Sequence, residues 1–217
     1  GVPGGCRLTG EGVGGPAARA ALGVALILTA GAANAHSFGA GTDAFETLVE
    51  GANVVLFSPV SLLPCLSLGV LLTLWQVDGM VRAWPLLACA HVAGFLLAPM
   101  AGGWAGPSIV IGGAGVATLA ALLPRHNRAE TFCAAIGVGL FTMLASLEGH
   151  GWLELAAATY AGIFAAASLA VAVGAGLSRL AVERLPYPGT RIGLRIAASW
   201  LAAAQILMAA FLLTSAS

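Results

Sequence analysis

Long apolar runs, separated by short clusters of Gly, Pro and charged residues, recur along the chain. Seven stretches approach the length of a membrane crossing: 17–35, 59–76, 81–101, 108–124, 129–147, 153–177 and 193–215. A helix rises about 1.5 Å per residue, so roughly 30 Å of hydrocarbon takes about 20 apolar residues. The runs lack the apolar–polar alternation and turn punctuation of an outer-membrane barrel. They predict an all-α, polytopic transmembrane helix bundle of about six spans after an N-terminal, signal-like hydrophobic helix.

Composition narrows the class further. Of 217 residues, 59% are hydrophobic and 8% charged, against about 25% charged in a soluble domain. Mean hydropathy is +0.95. Nine Arg, no Lys and nine acids sum to zero charge with no basic patch, which excludes a nucleic-acid partner. A water-soluble globule, a disordered tail and a disulfide scaffold are excluded as well, and the lipid bilayer is the first partner implied.

The first run has its own signature. Arg7 and Arg19 precede an apolar stretch, Ala20 to Ala30, and Ala33-Asn34-Ala35 supplies an A-x-A cleavage pattern before His36. Residues 1–35 read as a signal peptide or a retained N-terminal helix, and 36–217 as a single transmembrane bundle. With an outward first crossing, all nine arginines fall in or beside cytoplasmic segments, as the positive-inside rule requires. Asp43, Glu46, Glu50, Glu148 and Glu154 fall outside. The expected location is the bacterial cytoplasmic (inner) membrane, with residues 36–58 and the C-terminus periplasmic. Trp75, Trp84, Trp104 and Trp152 lie near helix ends, where indole rings anchor at the interface.

Between the spans, 43–57 is predicted as a short outer or re-entrant helix. Asp43 is its N-cap, in capping-box spacing with Glu46. Asp43, Glu46 and Glu50 share one face, and Phe45, Leu48, Val49 and Leu56 cover another. Ser58-Pro59 then opens a fresh helix, which Pro64 is expected to kink or delay. Residues 178–192 read as the longest polar connection. Gly112, Gly113, Gly115, Gly137, Gly139, Gly174 and Gly176 supply the small surfaces on which helices approach in lipid.

Candidate chemistry is sparse. Cys6, Cys65, Cys89 and Cys133 form no C-x-x-C pair; three lie within spans and are expected as small apolar packers. His91 sits inside a span, where an ionisable group is either hydrogen-bonded between helices or part of a metal or proton route. The outer face gathers His36, Asp43, Glu46, Glu50, Glu148, His150 and Glu154. Imidazole with carboxylate suits Ni, Co, Zn or Cu, although the spacing lacks an H-x-H or H-x₃₋₄-H pair; the alternative is a solvated acidic rim. His126 reads as polar loop. The candidate metal set is therefore His36, Asp43, Glu46, Cys65, His91, Glu148, His150 and Glu154, for a Ni, Co or Cu ion, with no other cofactor implied. No H-E-x-x-H, G-x-S-x-G, Walker A or Rossmann fingerprint is present, so catalysis is not expected.

The order of elements resembles the HupE/UreJ-type membrane proteins over most of residues 20–177. The resemblance rests on a leader ending Ala-Asn-Ala-His, an apolar helix leading into x-Pro, and a Gly-His-Gly ahead of an Ala-rich span. That family, which accompanies hydrogenases and ureases, is viewed as nickel or cobalt permeases. Its first helix break reads His-Pro-x-x-Gly-x-Asp-His; here the stretch is Ser58-Pro59-Val60-Ser61-Leu62-Leu63-Pro64-Cys65. Pro59 is kept, while Ser58, Pro64 and Cys65 replace the two His and the Asp. The second His-rich patch is reduced to Glu148-Gly149-His150-Gly151 and Glu154. The resemblance thus implies the scaffold, while the missing ligands, the Gly/Ala-rich helix faces and the lack of a soluble module point to a non-catalytic accessory subunit among other integral membrane subunits, with a transition-metal permease or metal-delivery protein as the alternative.

Overall fold

Asp43, itself in extended conformation, accepts a hydrogen bond from the Phe45 amide at 3.2 Å, and a helix follows at once. The computed structural model describes residues 43–123, 127–185 and 187–215; the leader, its cleavage pattern, His36 and His126 lie outside them. The described chain is helical without strands: α1 Ala44–Leu56, α2 Pro59–Trp75, α3 Gly79–Leu97, α4 Ala105–Leu122, α5 Arg128–Ser146, α6 Ala157–Arg184 and α7 Pro188–Ser215. Five of these, α3 to α7, are long and apolar enough to cross a membrane. The pair α1–α2 qualifies as one further span, bent by 72° at its break.

The break falls where it is expected. Ser58 is the N-cap residue of α2 and Pro59 occupies its first turn, although the Ser58 hydroxyl makes no capping bond. Pro64 does not delay the helix: α2 begins at Pro59 and runs on through it. Room for its ring comes from α4, because a Cβ on Gly113 would lie 2.6 Å from Pro64 Cγ.

Two boundaries also differ. The region 178–192 is not a polar connection: α6 continues to Arg184 and α7 opens at Pro188. Beyond the hydrocarbon the helix no longer needs apolar residues, and Arg179 pairs with Glu183 one turn on, at 2.7 Å. It ends at Leu185 because the residue before Pro186 is pushed out of the α region. At its other end α6 begins at Ala157, not 153, because 151–155 is held in an irregular turn.

Packing follows small residues. In α6, Thr159, Gly162, Ala166, Ala170, Gly174 and Ser178 form one buried stripe. At one end of it, Gly51 of α1 faces the Thr159 carbonyl and Gly162 faces the Leu48 carbonyl. Further along, Gly174 lies against α2, where its Cβ would come within 3.4 Å of Gly69 Cα. Thr73 of α2 ties the same crossing by donating to the Ala175 carbonyl at 3.1 Å. Helix α2 is the hub, in contact with α4, α5, α6 and α7, and Leu68, Leu71 and Leu72 are fully buried there.

The apolar face of α1 points outward: Phe45 is 70% exposed, while Thr47, Gly51, Val54 and Val55 are buried. In lipid an apolar face gains little by turning inward, and close backbone approach decides the orientation. Four of the seven glycines singled out from the sequence, Gly112, Gly115, Gly137 and Gly176, touch nothing within 4 Å of an added Cβ. Cys89 and Cys133 are exposed on the bundle surface rather than packed inside; Cys65 is buried.

Candidate functional site

At the end of the bundle carrying the α5–α6 loop, the acidic residues are engaged by backbone. Glu148 reaches across to the first turn of α4, accepting from the Gly106 amide at 3.3 Å. Its charge there complements the positive end of the helix. Glu154 accepts from the Gly151 amide at 2.6 Å. Tyr160 closes the same turn, its hydroxyl accepting from Leu155 N at 3.3 Å and lying 3.4 Å from the Gly151 carbonyl. Trp152 donates to the Leu96 carbonyl at the end of α3. Gly149 at φ 83° and Leu153 at φ 60° take the left-handed conformations this tight loop needs. His150 lies 3.2 Å from the Glu148 carbonyl through Nδ1. Asp43 caps α1, and Glu46 lies in its first turn.

The membrane interior holds the remaining candidates, apart from one another. The Cys65 thiol on α2 is buried, 3.6 Å from Thr142 Oγ1 of α5. His91 on α3 is 1% exposed and neither ring nitrogen has a hydrogen-bond partner. Its ring meets Phe164 edge-on at 5.2 Å. Beside it a groove of about 230 Å³ runs between α3 and α6, walled by Val92, Phe95, Tyr160 and Phe164. Among the described residues, no three His, Cys, Asp or Glu side chains converge as a metal site. Of the eight metal candidates, Glu148, His150 and Glu154 share the α5–α6 loop, Cys65 and His91 stand singly in the bundle, and His36 lies outside the described residues.

A buried polar contact that the sequence reading missed joins three helices. Gln205 of α7 is fully buried and donates to Ser67 Oγ of α2 at 2.9 Å, while its Oε1 lies against Gly113 of α4. A lone Gln in the apolar run of the last span was the available signal, since a side-chain amide in lipid needs an interhelical partner.

The opposite end is the arginine end. Arg82 pairs with Asp78 at 2.8 Å, and this bond holds the Asp78 carboxyl below its ordinary range. Arg195 of α7 donates to the Ala121 and Leu122 carbonyls at 2.7 and 2.9 Å, satisfying the last turn of α4. Arg128 stacks 5.0 Å from the Phe132 ring centre, and Phe132 meets Trp75 edge-on. Between them lies a cleft of about 520 Å³ lined by Trp75, Gln76, Arg82, Arg128 and Phe132.

Comparison of the chain with family models, with curated proteins and with solved structures finds no match. What is established is an all-helical architecture with five candidate membrane spans, compatible with a multi-pass protein in contact with lipid.

Proposed function

We propose that the protein is a non-catalytic accessory subunit of a larger membrane complex, built on a HupE/UreJ-like scaffold in the bacterial inner membrane with its arginine end cytoplasmic. The observation that carries this reading is an open groove of about 220 Å³ between α4 and α5, lined by Ser108, Gly112, Cys133, Gly137 and Phe141 among others. Its floor is small residues: an added Cβ on Gly112 or Gly137 meets nothing within 4 Å, whereas their neighbours Gly113 and Gly139 are packed against α2 and α3. Small surfaces of this kind let a further helix approach closely in lipid, where van der Waals contact drives association. The engaged carboxylates support the same reading. A permease must offer a desolvating cation successive ligands, and here Glu148 and Glu154 are bound to backbone amides.

Native mass measurement of the protein extracted in a mild detergent tests this. A species well above the 21.5 kDa chain mass, reduced to the single chain by Gly112→Leu with Gly137→Leu, is expected. A solitary chain that drives metal uptake into proteoliposomes, lost on His91→Ala or His150→Ala, overturns the reading in favour of a transition-metal permease.

A further inference from the structure

Among the cavities described above, the cleft at the arginine end alone combines guanidinium groups with aromatic walls. Two guanidinium groups, from the first turns of α3 and α5, line one space of about 520 Å³. Trp75 and Phe132 wall it with the amphipathic and apolar rings that favour the depth of lipid headgroups. Among the described residues Arg128 has no carboxylate partner; it lies over the Phe132 ring. Arg82 is shared with Asp78, whose carboxylate partly offsets it and stands at the exposed rim. The last lining group is Gln76.

We propose that this cleft binds the headgroup of an anionic phospholipid, its phosphate held by Arg82 and Arg128. The two charges recognise the phosphate, as planar guanidinium groups do through paired N–H donors. Basic pockets between transmembrane helices serve as headgroup sites in general. The assignment concerns lipid at the arginine end and is independent of the open groove between α4 and α5.

Native mass spectrometry of the full chain, titrated with phosphatidylglycerol, phosphatidic acid, phosphatidylcholine and soluble glycerol 3-phosphate, tests it. Phosphatidylglycerol and phosphatidic acid are expected to be retained about tenfold more strongly than phosphatidylcholine, whose quaternary ammonium the two guanidinium groups repel. Arg82→Gln with Arg128→Gln should abolish that preference, while Arg184→Gln, at the same end but not lining the cleft, should keep it. Equal retention of phosphatidylglycerol and phosphatidylcholine by the wild-type chain overturns the proposal without any variant. Competition by glycerol 3-phosphate at concentrations equal to the lipid overturns the lipid assignment.

Discussion

Two sets of glycines in this bundle have the same chemistry and opposite surroundings. Gly51, Gly69, Gly162 and Gly174 sit where an added Cβ would strike the backbone of a neighbouring helix. Gly112, Gly115, Gly137 and Gly176 face open space. The first set sets the distance between α1, α2 and α6. Two of the second set, Gly112 and Gly137, line a groove that no described residue fills. In water the apolar stripe of a helix marks its inner face, but in lipid both faces are apolar and proximity is the selectable quantity. The difference between the two sets therefore separates what holds this chain together from what it offers to others.

The contrast breaks most visibly at Gly162. Its missing side chain lets the Leu48 carbonyl and the Ala52 amide of α1 approach α6, and both are backbone atoms that cannot rotate away. Gly162→Ala is expected to cost about 1–3 kcal/mol, and Gly162→Leu more, because overpacking here must shift a whole helix. Thermal unfolding in detergent, followed by circular dichroism, measures it. An unchanged midpoint for Gly162→Leu means that the α1–α6 crossing is not a close contact.

His91 gives the converse case, an inward position where shape is matched and hydrogen bonding is not. Its ring packs on Phe164 with both nitrogens bare. His91→Phe keeps an edge-on ring pair and removes two unsatisfied polar atoms, for which the adjacent groove of about 230 Å³ has room. The expected outcome is a gain of about 1–3 kcal/mol. A loss of similar size would show that the imidazole holds a partner in the working protein, and metal or proton chemistry at α3 would return to consideration.

How much of this was legible beforehand depended on which force fixed each feature. Hydrocarbon thickness sets span length, so α3 to α7 and the α1–α2 break at Ser58-Pro59 could be read from apolar run lengths and one Ser-Pro pair. Which glycines point inward could not, since Gly112 and Gly113 are adjacent and equally compatible with either face until α2 places Pro64 beside one of them. The acidic rim misled for a related reason. Glu148 and Glu154 resemble ligands in sequence, but the partner of Glu148 is an amide 42 residues away. Only the antiparallel stacking of α4 and α5 brings the two together.

At the open positions the sign of a substitution should reverse. Gly137→Ala meets no neighbouring atom, and alanine is favoured over glycine in a helix interior by up to about 1 kcal/mol. The isolated chain is thus expected to melt slightly higher, while the larger assembly extracted in mild detergent weakens. A destabilised single chain would place Gly137 among the inward set and remove the basis for the open groove.

The smallest effect concerns charge. The Arg82 guanidinium holds the Asp78 carboxyl below its ordinary range in the folded chain. A group whose folded pKa is depressed adds stability that is present above its unfolded value and lost as pH falls through the folded one. Acidification from neutral pH through the range below 3.8, the ordinary Asp value, should therefore lower the unfolding midpoint, and Asp78→Asn should remove that part of the dependence. Because both side chains are more than half exposed, at 57% and 53%, solvent screens the pair and the shift should be minor beside that of Gly162→Ala. Should Asp78→Asn instead cost as much as Gly162→Ala, ion pairing at the arginine end would rank with glycine contacts in holding the bundle, and the inward glycines would lose their leading place.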